Sequence, residues 1–179
     1  SLKQLVQLCC LLTKIHVHTN DPDQITLKLH DAGHKIYKSK VEDMWLQNKI
    51  ETHQHPKIGI LTDSICDISD TLIDQYQIHF LPLAFIAGES TYLDKYTISS
   101  EVLKPLLDAS EHYPSSSQVD VKLVKIKLEC MLRYYEEVVV LSVSKALSGT
   151  YEGYKKAIEA LGEHSKRITL LDTKLNSGA

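Results

Sequence analysis

No G-x-x-x-x-G-K-[ST] loop, no G-x-G-x-x-G fingerprint and no G-x-S-x-G elbow occurs anywhere in the 179 residues. The first two cradle phosphate with backbone and the third presents a nucleophilic serine, so these nucleotide-binding and hydrolase chemistries have no local signature here. Cysteine is scarce. Cys9, Cys10, Cys66 and Cys130 form no C-x-x-C pair and no dense framework. That points to a reducing compartment, and the expected localisation is the cytoplasm. An excess of one charge is also missing: 20 Lys+Arg against 23 Asp+Glu leave a net charge of −3, too weak a field to invite nucleic acid. No apolar run reaches the roughly 18 residues that a membrane span needs. The apolar start SLKQLVQLCCLL lacks the basic flank and cleavage site of a signal peptide. With 43% hydrophobic and 24% charged residues, the composition is that of an ordinary globular protein.

What is present is a recurrent strand ending. Three apolar runs pass straight into small hydroxyl and acidic residues. KIGIL at 57–61 leads into Thr62, Asp63 and Ser64. VVVL at 138–141 leads into Ser142, Ser144, Ser148, Gly149 and Thr150. ITLL at 168–171 leads into Asp172 and Thr173. In an open parallel α/β sheet the carboxyl ends of the strands line the ligand crevice, so the three polar ends are expected to converge.

The chain divides into a small α/β segment over 1–50, a polar linker over 51–56 (ETHQHP), and a larger unit over 57–179. In the front segment, strands are expected over 5–12, 14–19 and 36–41. A helix over 24–30 starts after Asn20-Asp21-Pro22 and ends at Gly33. In the larger unit a strand over 57–62 is followed by a helix near 71–76. An apolar run over 78–86, interrupted by Pro82, reads as one buried strand. A helix near 101–107 and a serine-rich loop over 114–118 come next. A helix over 121–135 carries a stripe of Val121, Val124, Leu128, Met131, Leu132 and Tyr135. A strand over 138–143, a helix with Tyr151, Tyr154, Ile158 and Leu161 on one face, and a strand over 167–171 complete the series. Alternating strands and helices predict a parallel sheet flanked by helices.

Ser144 to Thr150 lies between a strand and a helix. The unpaired N–H groups and dipole of a helix start hold an anion without a lysine. Serine and threonine at such a place also cap helices with no ligand present, and on the residues alone both readings stand. Asp63-Ser64 fits a metal ligand, a nucleophile or a turn. His79 and His112 have no sequence-level partner that forms a triad. His16 and His18 are two apart on an expected strand, hence on one face. Two neutral imidazoles so placed are candidate ligands for one zinc ion. His53 and His55 repeat the spacing in the linker.

Together, Thr62-Asp63-Ser64, the loop at 114–118, SKALSGTY at 144–151 and the segment 172–178 resemble the DegV family of bacterial fatty-acid-binding proteins, over about residues 57–179. Ser116, Ser117 and Gln118 match the family's T-S-Q-P loop, with Val119 in place of proline. Lys145 follows Ser144 where the family commonly has a second serine. KIHVHTNDPDQ, Gly33 and KVEDMWLQ are similar to the middle domain of fatty-acid kinase, whose kinase domain is of the dihydroxyacetone-kinase type. There His16 and His18 match zinc-binding histidines; that domain's cysteine ligand lies further upstream, and its role is not carried to Cys9 or Cys10.

The resemblance implies an amino-terminal DegV lobe preceded by the end of a kinase middle domain, as in a kinase–DegV fusion, with the second lobe missing. It implies a non-enzymatic module that holds a long-chain fatty acid and presents its carboxylate to a fused or separate fatty-acid kinase. No cofactor is required for lipid binding, and zinc is a candidate at His16/His18. The implied lipid-binding residues are Ser64, Ser116, Ser117, Ser144, Ser148 and Thr150. Residues 80–86 and Leu147 are the candidate wall of the acyl tunnel. The rival reading is a metal-dependent phosphotransferase or hydrolase that uses Asp63. A third expectation is an unliganded lobe whose open apolar face drives dimerisation.

Overall fold

The computed structural model describes residues 7–9, 12–52, 56–98, 103–104, 108 and 115–177. The larger unit is built on a four-stranded parallel sheet in the order β4-β3-β8-β9. Strand β3 is Ile58–Asp63, β4 His79–Leu81, β8 Glu137–Ser142 and β9 Ile168–Asp172. The inner strands are apolar and β-branched because both of their faces are covered, as parallel sheets require. Leu61, Val138 and Val140 are fully buried. The helices between the strands are α3 (Asp70–Tyr76), α4 (Val121–Met131) and α5 (Thr150–Glu159). The expected stripe of α4 is buried at Val124, Leu128 and Met131. Tyr154, Ala157 and Leu161 bring α5 and its end into the same core.

From β3 the chain turns one way to β4, then crosses back past β3 to β8 and on to β9. The order therefore reverses between β3 and β8. Their backbone pairing ends at Thr62 opposite Leu141. Beyond that point the two strand ends diverge, and a crevice opens there.

A second, three-stranded antiparallel sheet has the order β6-β5-β7. Strand β5 (Ala84–Ala87) and β6 (Ser90–Leu93) form a hairpin through Gly88 at φ +58°. Strand β7 (Ser115–Ser117) adds to the other side of β5. Two expectations are corrected here. The run 78–86 is not one strand, because Pro82 has no N–H for a ladder and the chain changes sheets after Leu81. The serines at 115–117 are not a loop but a strand, since β5 offers them an unpaired edge.

In front, β1 (Gln7–Cys9) pairs antiparallel with β2 (Leu12–Lys14), followed by α1 (Pro22–Asp31) and α2 (Met44–Thr52). The expected single strand over 5–12 is thus a hairpin arm, with residues 5, 6, 10 and 11 outside the described set. Residues 15–19 and 36–41 are not strands. Helix α1 ends as expected, with Gly33 at φ +77° and His34 N–H donating to Leu29 carbonyl at 2.9 Å. Helix α2 was unexpected and runs into the supposed linker, of which 53–55 lie outside the described residues. The helix near 101–107 also lies mostly outside them.

Buried His79 faces the Tyr135 hydroxyl at 2.9 Å through Nε2, and Tyr135 rests on Gly59 so closely that a Cβ there would meet its ring at 2.7 Å. His79 Nδ1 has no hydrogen-bond partner among the described residues. Burial, with a smaller push from Lys127, lowers the His79 pKa to about 3. The unfolded chain takes up this proton near pH 6.5 and the folded one refuses it until about 3, so stability falls as pH falls through that window. We expect the unfolding free energy to drop by roughly 3 kcal/mol from this group by about pH 4.5. Urea titrations at pH 7 and 4.5 should show the loss in the parent chain and a smaller loss in His79→Asn.

Candidate functional site

The polar strand ends are where the parallel sheet places them, on one edge. Asp63 closes β3 with its side chain 1% exposed. Its Oδ1 accepts the N–H of Ile65 at 3.2 Å and its Oδ2 the N–H of Val143 at 3.1 Å. One carboxylate thus ties the end of β3 to the residue after β8. Burial raises the Asp63 pKa, and the backbone donors, Val143 first, pull it back. Below it lies Tyr154, fully buried, whose phenol is held neutral by burial and by the charge of Asp63. Each carboxylate oxygen thus accepts one backbone N–H, which gives Asp63 a structural role at the strand ends.

Ser64 is equally buried. Its Oγ accepts the N–H of Leu83 at 3.1 Å, next to Ala84, which pairs with Ser117. Ser144 follows Val143 and is buried; its Oγ accepts the N–H of Ala146 at 3.3 Å. Ser148 Oγ accepts the N–H of Thr150 at 3.2 Å and bonds Thr150 Oγ1 at 2.9 Å. Ser148 therefore holds the first N–H of α5, just before its N-cap Gly149, and Thr150 is fully buried. Gln118 lies against the same helix start: a Cβ on Gly149 would fall 2.2 Å from Gln118 Nε2. A side chain at Gly149 would have to displace the Gln118 amide.

The six residues singled out in the sequence are thus linked by a short chain of contacts, but they divide in two. Ser64, Ser144 and Thr150 are buried, their oxygens already engaged. Ser116 is exposed, and Ser117 and Ser148 are half-buried. Among the described residues, Ser117 Oγ donates to the adjacent Gln118 carbonyl at 3.3 Å.

Beside them a cleft of about 120 Å³ opens between the ends of β3 and β8. Ile65, Ile68, Leu141, Val143 and Leu175 supply its apolar wall, and Thr62, Asp63, Ser142 and Thr173 its polar floor. None of the six residues lines it, although Ser64 and Ser144 each follow a residue that does. Residues 80–86 and Leu147 do not line this cleft, and Leu147 is 65% exposed. Of the wall residues, Leu141 ends the apolar run of β8, whereas Ile65, Ile68, Val143 and Leu175 follow polar strand ends, where apolar periodicity has stopped and gives no signal.

His16 and His18 do meet, Nε2 to Nε2 at 3.2 Å with their rings edge to face. The separation is near the edge of a zinc–imidazole tetrahedron, about 3.3 Å. Among the described residues, no group of three or more His, Cys, Asp or Glu could hold a metal. The pair is two ligands short of a tetrahedral site, and the zinc expectation has no support there. No helix among the described residues is long and apolar enough to cross a membrane.

Residues 57–179 match the model of the DegV family, and residues 8–51 match that of a fatty acid kinase middle domain. A DegV domain-containing protein of Clostridium acetobutylicum is 32% identical over 121 residues, covering 66% of this chain and 41% of that one. The chain spans about two fifths of the length of such curated relatives. A Thermotoga maritima protein whose structure is described as revealing fatty acid binding function is 27% identical, with a TM-score of 0.58 over 69% of this chain and 45% of that one. DegV of Bacillus subtilis, described as a fatty acid binding protein, shares the fold at 22% identity, with a TM-score of 0.61 over 68% and 43%.

If Asp63 is the tie between strand ends, Asp63→Asn removes one of its two acceptors and sets an amide donor against an N–H. A loss of roughly 2 kcal/mol is expected, read as a lower urea midpoint with an unchanged slope.

Proposed function

The chain belongs to the DegV family through residues 57–179, and on that premise we propose that it binds a long-chain fatty acid and presents the carboxylate to a kinase. The observation that carries this reading is the gathering of hydroxyl residues around one helix start, beside an apolar cleft at the topological switch of a parallel sheet. Ser117 and Ser148 are the accessible donors for the head group. Ser144 stands behind them, and Ser64 and Thr150 hold the backbone. Each methylene of the tail contributes about 0.8 kcal/mol on burial. The tail therefore supplies most of the affinity, while the hydroxyls satisfy and orient a buried anion. Neutral donors leave a carboxylate oxygen nucleophilic, which suits transfer of a phosphoryl group to it by a kinase. The likeness of residues 8–51 to a fatty acid kinase middle domain supports a kinase domain, fused or separate, as the partner. Catalysis in this scheme is the partner's, and DegV-type binding needs no cofactor.

Mass spectrometry of the denatured full-length protein is expected to release C16–C18 acids. An empty protein that also fails to bind added palmitate would overturn the reading. Ser117→Ala and Ser148→Ala should each weaken palmitate binding by about 1 kcal/mol, read by titration calorimetry. Thr150→Ala should lower thermal stability more than affinity.

A further inference from the structure

The strands of the small sheet are only three or four residues long. Sheets this short are marginal unless something packs on them. Among the described residues, the core beneath the hairpin holds two buried residues, Tyr92 and Ile98, with Phe85, Ala87 and Leu103 of the larger unit packed against them. Their further neighbours include Leu27 of α1 and Ile36, from the front segment, outside the DegV-family match.

The same segment bonds the hairpin's outer edge. Ile36 carbonyl accepts the N–H of Thr91 at 2.7 Å, and Ile36 N–H donates to the buried Ser90 Oγ at 3.2 Å. Lys35 pairs with Glu89 at the turn. Thr91 stands opposite Ile86, and Ile86 opposite Ser115. One row of backbone therefore runs from Ile36 through the hairpin to the serine strand. On its other side the small sheet is anchored at Leu83, whose N–H meets Ser64 Oγ and whose carbonyl accepts from Asp94 N–H at 3.0 Å.

We propose that Leu27 and Ile36 of the front segment form an intrachain docking surface for the β5–β6 hairpin, and that this surface positions Ser116 and Ser117. Leu27 and Ile36 are positioning residues, since they touch the hairpin and not the cleft. Only the consequence for lipid binding rests on the head-group reading above. The segment similar to a kinase middle domain is then mechanically joined to the strand that offers hydroxyls to the ligand.

Hydrogen exchange on the ligand-free full chain tests the docking. In Ile36→Ala, amides of 84–87, 90–93 and 115–117 should exchange about tenfold faster, a larger rise than at 58–63 and 137–142. Ser90→Ala should give a smaller change of the same kind, and Lys40→Ala none. A rise confined to 22–41, or an equal rise throughout, overturns the proposal. Should Ile36→Ala fail to fold, Ser90→Ala decides alone by the same comparison. Palmitate affinity is read on the same variants and should fall in step with the serine-strand exchange. Faster exchange at 115–117 with unchanged palmitate affinity leaves the docking surface standing and removes Ser116 and Ser117 from the head-group site.

Discussion

Everything near the crevice depends on the two hydrogen bonds that Asp63 accepts. At a topological switch the neighbouring strands part, and the backbone ladder that satisfies each N–H stops. Here it stops at Thr62 and Leu141, which leaves the N–H of Val143 pointing into buried space. A buried orphan donor is costly. The carboxylate of Asp63 answers it with one oxygen and holds the turn at Ile65 with the other. That fixes how far the strand ends diverge, and so fixes the cleft. It also sets Ser64 and Ser144, each one residue away, on its two sides. A residue type that sequence reasoning associates with catalysis here has an architectural role.

The hydroxyls follow a similar division of labour. A serine oxygen accepts and donates at once. Ser64 accepts the N–H of Leu83, between β4 and β5, and Ser148 accepts that of Thr150 at the start of α5, where the two hydroxyls also bond. Each of these oxygens is an acceptor here, and one hydroxyl of the Ser148–Thr150 pair is also the donor of their mutual bond. A carboxylate wants donors only. Lys145, next to Ser144, lies 3.9 Å from the Asp172 carboxylate.

The parallel sheet was legible because its strands are continuous β-branched runs with polar endings, and the stripes of α4 and α5 because packing demands their period. The convergence of strand ends followed from the same topology. The small sheet was not legible. Its strands are three or four residues long, β7 is three serines with no apolar alternation, and Pro82 lies in a run whose hydropathy is continuous across two sheets. Residues 36–41 alternate like a strand, yet Ile36 uses that pattern for one backbone contact and one apolar contact rather than for a ladder. The chemical set of hydroxyls could be named from the motifs, but not which of them are spent. That depends on partners such as Leu83, which are distant in sequence and carry no polar side chain to announce them.

The site therefore belongs to two sheets of unlike stiffness. Its helix-start half is built on strands whose neighbours cover both faces, with Val138, Val140 and Tyr154 sealed beneath. Its serine half hangs on β5, joined to the main sheet through Leu83 and Ser64 and covered from outside by Leu27 and Ile36. Local opening follows buried contact and backbone protection, and the strands of the serine half are the shorter ones. A ligand gripped between Ser117 and Ser148 would bridge the two halves and hold them in register. By reciprocity, whatever steadies the hairpin from the front segment would favour that grip by the same free energy.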